Sequence, residues 1–321
     1  MRIAWIKKTV IGPAILLAAA LTLSACGGDS SSSEAGAIRV AHNSNAGVLP
    51  VRVAAEQGYF GDAGLDVKFT KVENIGTLPP ALGKSFDIVL TAPTSLIAAK
   101  AQGIDMVAAA GATVDVPENP TSGVVALKSS GIASFEDLKG KKVGVLTETG
   151  TLHTATLFAL DKVGLTADDI EIVQVDGPAQ ADQLEAGRVD AVETLAPFRG
   201  ELLAADDTVD IGDPYLEMAP EIGALMWGTS SDWANENPED LKKFREAIAK
   251  AIEYIQSNEK ESLAVLEDYT GLPKDVVDKA VLPNYVSDLR PQDLEVWLEA
   301  MKAVGGFKGQ VNLDDLMPSE Q

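Results

Sequence analysis

The sequence predicts an α/β protein of two lobes joined by two crossovers, with a helical C-terminal portion. Three observations carry that prediction. From Ile38 onward, short apolar runs alternate with stretches of helical periodicity, as they do where strands are covered on both faces by helices. The alternation breaks over residues 114–122, restarts, and breaks again at Gly212-Asp213-Pro214. From Pro238 the chain reads as almost continuous helix.

In order, residues 38–41 read as a strand and 49–57 as a helix ended by Gly58. Residues 65–72 alternate apolar and polar side chains, the period of a strand. Residues 75–82 suggest a short helix interrupted by Pro79-Pro80. A buried strand follows at 86–90, a helix opened by Pro93 runs to Gln102, and 105–110 is the next strand. This alternation argues for a mostly parallel sheet. Pro117, Asn119 and Pro120 make 114–122 a connector. After it come strands at 123–128 and 142–146, a helix at 151–163, a strand at 169–175, a helix at 179–186 and a strand at 189–195. Ser134 and Asp137 have capping-box spacing, and Gly140 is placed to end that short helix. Past the second break, 222–227 is strand-like, and helices are expected at 238–257, 260–269, 273–281 and 291–304. The outer lobe then comprises 37–115 and 222–321, and the middle lobe 116–221. Two such lobes can hinge, and sites in open α/β sheets lie outside the carboxyl ends of the strands.

Composition narrows the function. Asp and Glu number 48 against 26 Lys and Arg, a formal charge of −22. That argues against nucleic acid as a partner, because phosphate neutralisation needs a basic surface. With one cysteine and two histidines, intrachain disulfides and zinc sites of four cysteines, or of two cysteines and two histidines, are excluded by count. No G-x-S-x-G, P-loop, G-x-G-x-x-G or H-E-x-x-H occurs. At the N-terminus, Arg2, Lys7 and Lys8 precede an apolar stretch from residue 10 to 23, as in an export signal. Leu23-Ser24-Ala25-Cys26 resembles the bacterial lipoprotein processing box. The resemblance implies a signal peptide over 1–25 and lipidation of Cys26. Residues 26–36, with the run GGDSSSSEAG after the cysteine, read as a flexible tether. A body anchored by lipid to the extracytoplasmic face of the cell membrane is the expectation.

Three blocks carry a further resemblance. They are Ala54-Ala55-Glu56-Gln57-Gly58-Tyr59-Phe60 with Gly64-Leu65-Asp66-Val67, Phe135-Glu136-Asp137-Leu138-Lys139-Gly140-Lys141-Lys142-Val143-Gly144-Val145, and Gly187-Arg188-Val189-Asp190-Ala191-Val192. In order and spacing they resemble type II solute-binding proteins of ABC importers, in the branch that binds sulfonates, taurine, nitrate and thiamine-pyrimidine precursors. The resemblance implies the type II periplasmic binding protein fold, with a ligand cleft between the lobes. It also implies capture of a small solute and its delivery to an ABC permease with its ATPase, without bond making. A monomer without cofactor or metal is expected. A related enzyme branch, the pyrimidine synthases of thiamine formation, carries a cysteine-rich motif that has no counterpart here.

The candidate ligand contacts lie in strand-to-helix loops. His42, Asn43, Ser44 and Asn45 offer polar groups at a helix start, a place suited to an anion or a polar oxygen; otherwise they are a plain polar loop. Thr91, Thr94 and Ser95 either cap a helix or bind a ligand. Thr149, Gly150, Thr151 and His153 form the corresponding loop of the middle lobe. The two histidines are expected to face each other across the cleft, the alternative being two unrelated structural residues. Glu193 and Thr194 end a strand, and Glu193 either faces the cleft or pairs with Arg199. Trp227 is either an aromatic wall or a core residue. The solute expected first is an organic anion such as a sulfonate or aromatic carboxylate, although none of the three loops holds an arginine. The alternative is a heterocyclic or amine solute such as a pyrimidine precursor, with an enzyme on the same fold a third reading.

Overall fold

The computed structural model describes residues 36–278 and 280–318. The expected signal segment, Cys26 and nearly all of the tether lie outside the described residues. Eleven strands are described: β1 Ile38–His42, β2 Val67–Lys71, β3 Ile88–Thr91, β4 Val107–Asp115, β5 Ser122–Leu127, β6 Lys142–Val145, β7 Glu171–Gln174, β8 Ala191–Leu195, β9 Thr208–Gly212, β10 Ile222–Thr229 and β11 Asn284–Tyr285. They form a six-stranded sheet in the order β11-β4-β10-β3-β1-β2 and a five-stranded sheet in the order β7-β6-β8-β5-β9.

Both sheets are mixed, which corrects the expectation of mostly parallel ones. β1 pairs parallel with β2 and β3, and β6 with β7 and β8. However, β5 lies antiparallel between β8 and β9, and β10 antiparallel between β3 and β4. The crossovers explain the exception. The chain leaves the first sheet at the carboxyl end of β4 and enters the second as β5; it leaves again at the carboxyl end of β9 and returns as β10. A strand entered directly from a carboxyl end runs against its neighbours. Each crossover thus inserts one reversed strand into the interior of a sheet.

Local chemistry sets the element ends. Gly58 takes φ 76° where the Leu49–Glu56 helix stops, a conformation that costs glycine little. The Pro238–Ser257 helix has its expected bounds and buries Leu241, Phe244, Ala247, Ile248, Ala251 and Ile255, the three-and-four spacing of a single helix face. That face packs on the Leu49–Glu56 helix. The Ser134–Asp137 capping box forms. Residues 75–82 make two 3-10 turns, Ile75–Thr77 and Pro79–Ala81, because the paired prolines cannot donate to a helix ladder. The helix expected at 273–281 is confined to Lys274–Val277. β9 and the helices Phe198–Leu203, Pro214–Met218 and Ser231–Glu236 were not anticipated.

One apolar cluster draws on both sheets and their helices. It joins Leu152, Ala155 and Tyr215 to Leu96, Ile97, Met226, Leu294 and Trp297. The Trp297 indole donates to the Gly223 carbonyl at 2.7 Å and meets the Tyr215 ring edge-on at 5.8 Å. No helix among the described residues is long and apolar enough to cross a membrane.

Candidate functional site

Most of the predicted contacts sit where parallel strands end, which follows from the topology. His42 is the last residue of β1 and is buried. Its Nδ1 lies 2.9 Å from the Asn43 carbonyl. A carbonyl can only accept, so Nδ1 carries the proton and, in the neutral ring, Nε2 is an acceptor. Nε2 is buried without a partner among the described residues, as is Asn43 Oδ1. Burial, with a smaller contribution from Arg52 and Lys71, holds the His42 pKa below its usual value and favours that neutral ring. The imidazole meets Phe69 at 5.8 Å and Tyr269 at 6.0 Å, edge to face. Asn45 caps the 3-10 turn Ala46–Val48, accepting from Gly47 N at 2.7 Å, and Ser44 is exposed.

In the second loop, Thr91 and Thr94 are buried and Ser95 half-buried. None of them caps the Pro93–Ala101 helix, whose N-cap is Ala92. The hydroxyl of Thr94 has no described partner.

The third loop divides. Thr149 is exposed and its hydroxyl lies 3.3 Å from that of Thr147. Gly150, at φ 94°, precedes the Thr151–Lys162 helix. Thr151 shares a hydrogen bond of 2.9 Å with the Tyr215 hydroxyl. His153 is buried one turn into the helix, its Nδ1 3.4 Å from Glu193 Oε2.

Glu193 and His153 are therefore brought together from 40 residues apart. Glu193 is wholly buried on β8, and burial raises its pKa against the opposing contact with His153. Oε1 of Glu193 and the hydroxyl of the adjacent buried Thr194 have no described partner. Gln180 donates from Nε2 to the Glu193 carbonyl at 2.8 Å and fixes the strand locally. Arg199 pairs with Asp210 at 2.5 Å, so it does not neutralise Glu193 as the alternative reading had it. Trp227 belongs to the hydrophobic core, 1% exposed and edge-on to Phe244 at 6.2 Å; the aromatic-wall expectation gives way to the core one.

Sequence reasoning missed Asp115, Asp213 and Tyr215. Tyr215 is buried beneath Thr151, and burial raises its phenol pKa, with Asp115, Asp213 and Glu193 adding to the shift. One signal was available: Asp213-Pro214 is an N-cap followed by proline at the first helical position. A cavity of about 400 Å³ lined by Lys100, Ser231, Asn235 and Asp315 contains none of the predicted residues.

Comparison with known proteins places this arrangement. Residues 45–262 match the family model described as NMT1/THI5 like. The chain belongs to the NMT1/THI5-like family. A 4-amino-5-hydroxymethyl-2-methylpyrimidine phosphate synthase of Candida albicans is 30% identical over 229 residues, covering 67% of this chain and 66% of that protein. A Haemophilus influenzae protein named for thiamine biosynthesis is 31% identical over 229 residues, covering 68% of each chain. The chain spans a little under two thirds of the first synthases it matches, 66% of the Candida protein and 63% of a Saccharomyces cerevisiae one. Among solved structures, the periplasmic aliphatic sulphonate binding protein SsuA from Escherichia coli aligns with TM-score 0.69 at 20% identity, over 85% of this chain and 91% of that one. The periplasmic nitrate-binding protein NrtA from Synechocystis aligns with TM-score 0.64 at 14% identity, over 84% and 81%. The fold is that of the type II periplasmic binding proteins. One expectation is overturned: the sequence reading set catalysis aside, yet the curated relatives carry the names of enzymes.

Proposed function

We propose that this chain captures a small solute between its two lobes, 37–115 with 222–321 and 116–221, and that the solute presents N–H donors rather than an anionic group. The observation that carries the reading is the buried Glu193 carboxylate, with one oxygen beside His153 and the other without a hydrogen bond among the described residues, although the nearby Thr156 hydroxyl also acts on the group. A buried carboxylate oxygen left unbonded is costly, and a donor on the solute removes that cost. The neutral His42 ring and Asn43 Oδ1 add two more acceptors. An anion would meet acceptors and a carboxylate at these positions, so the heterocyclic amine alternative is favoured over a sulfonate. An aminopyrimidine, the chemical class of the product named in the relatives' synthase names, has an amino group that donates. In this reading Thr94, Thr149, Gly150, Thr151 and Thr194 complete the contact surface. Cys26 holds the protein to the outer face of the membrane, and the liganded form passes its solute to an ABC permease.

Calorimetry tests it. The wild-type chain is titrated with 4-amino-5-hydroxymethyl-2-methylpyrimidine, methanesulfonate and nitrate, and the same set is repeated with Glu193→Gln. Binding of the pyrimidine alone, weakened roughly tenfold or more by the substitution as expected for a charged hydrogen bond, supports the reading. Binding of the sulfonate or nitrate with no pyrimidine heat overturns it.

A second reading rests on the synthase names of the relatives. There the same pocket would hold a pyrimidine as a reaction product, and formation of pyrimidine phosphate by the purified chain is the measurement that distinguishes it.

A further inference from the structure

Two tyrosines from the C-terminal part of the chain reach the first candidate loop, which runs from His42 to Asn45. Tyr269, in the last turn of the Glu259–Thr270 helix, donates its hydroxyl proton to the Asn45 carbonyl at 2.8 Å. Tyr285, on β11, donates to the Ala46 carbonyl at 3.1 Å. A carbonyl only accepts, so the phenols are the donors. The same two carbonyls accept from Val48 N, at 3.1 Å, and from Leu49 N. Those backbone bonds close the 3-10 turn after Asn45 and lead into the Leu49–Glu56 helix. Each phenol therefore grips a carbonyl on which the shape of the loop depends. The partners lie 224 and 239 residues apart in sequence, so the loop cannot supply these contacts for itself.

The loop is also confined by the sheet. A Cβ at Gly47 would fall 2.9 Å from Thr113 Cγ2 and 3.1 Å from Leu225 Cδ1, so the backbone sits directly on β4 and β10. The strand that carries Tyr285 is itself anchored. It pairs antiparallel with β4, Tyr285 opposite Thr113. Val286 N donates to the Ala112 carbonyl at 3.1 Å, and Asn119 Nδ2 donates to the Leu282 carbonyl at 2.8 Å. Tyr269 is 6% exposed, and its ring meets the His42 imidazole edge-on at 6.0 Å. Burial raises the pKa of both phenols, so both hydroxyls stay protonated and remain donors.

We propose that Tyr269 and Tyr285 are positioning residues for this loop: their hydroxyls hold the Asn45 and Ala46 carbonyls and so fix where His42 and Asn43 present their acceptors. The connection to His42 is short. The Asn43 carbonyl accepts from His42 Nδ1 at 2.9 Å and from Asn45 N at 3.0 Å. A loop released at Asn45 therefore loosens the bond that selects the His42 tautomer. Neither tyrosine has to touch the solute. The consequence for binding rests on the solute reading given above, whereas the grip on the loop does not.

Tyr269→Phe and Tyr285→Phe in the full chain, each removing one hydroxyl and keeping the ring, test it. Nitrogen-15 NMR of the imidazoles reads the His42 tautomer, and hydrogen exchange reads the Val48 and Leu49 amides. The wild type is expected to show His42 protonated on Nδ1. In Tyr269→Phe the other tautomer gains population and the Val48 amide exchanges roughly fivefold faster, the equivalent of one ordinary hydrogen bond. In Tyr285→Phe the Leu49 amide does the same. The loop amides accelerate more than those of the Pro238–Ser257 helix. Calorimetric affinity for 4-amino-5-hydroxymethyl-2-methylpyrimidine should fall roughly threefold or more in Tyr269→Phe. A wild type that does not bind the pyrimidine sinks the solute reading, while the tautomer and the exchange rates still decide the positioning. Should one variant fail to fold, the other carries the test. An unchanged His42 tautomer with unchanged loop exchange overturns the proposal, as does exchange raised equally in the Pro238–Ser257 helix, the mark of a purely structural role.

Discussion

The Asp115→Asn substitution offers a stability measurement whose sign and size follow from the structure. Burial, with Asp213 adding to it, pushes the Asp115 carboxyl up to about 6 from an ordinary 3.8. A group whose folded pKa lies above its unfolded one binds more protons when folded, so its contribution falls as pH rises through that window. Below about pH 4 both states are protonated and the charge costs nothing. Above about pH 6 the folded state carries the full penalty, about 3 kcal/mol at 1.36 kcal/mol per pKa unit. Asparagine is a neutral isostere that keeps an oxygen for the Thr121 N–H. Urea unfolding of both proteins from pH 3.5 to 8 is the assay. The curves should coincide near pH 3.5 and separate on the alkaline side, with the variant more stable by up to about 3 kcal/mol. A variant that is less stable at pH 8, or a gap of constant size at every pH, would refute the reasoning.

Three other outcomes are expected. Thr151→Ala removes the bond to the Tyr215 hydroxyl and should cost about 1 kcal/mol, whereas exposed Thr149→Ala should leave the denaturation midpoint unchanged; equal effects would contradict the assigned geometry. Trp227→Ala empties a core position packed on Phe244 and should cost about 3–5 kcal/mol by chemical denaturation, a loss that a cleft-wall tryptophan would not produce. Small-angle scattering should show a smaller radius of gyration when the chain is saturated with a bound pyrimidine, since lobe closure follows only if the ligand prefers the closed form; an unchanged radius would remove the hinge.

Legibility from sequence followed the range of the physics. The Pro238–Ser257 helix was readable to the residue because its apolar spacing and its proline at the first position are local signals. The loops after β1, β3 and β6 were readable because polar and glycine residues interrupt apolar runs. The reversal of β5 and β10 was not, since strand direction depends on which end of a sheet a crossover reaches. The site divides in the same way. His153 and Glu193 were each singled out, but their pairing across 40 residues is a tertiary fact. Asp115 and Asp213 fall at the two breaks in the alternation, where the sequence marks no site, and only the fold buries the first and half-buries the second. The proposed solute differs from the anion expected first because helix starts supply N–H groups in principle, whereas the atoms of His42, Asn43 and Glu193 without a partner among the described residues are acceptors.

The most direct test is a crystal structure of the chain with 4-amino-5-hydroxymethyl-2-methylpyrimidine. The account predicts the exocyclic amino nitrogen about 2.7–2.9 Å from Glu193 Oε1, the range of a charge-assisted bond, with the lobes closed over it. A pyrimidine seated elsewhere, with that oxygen still unbonded, would contradict it.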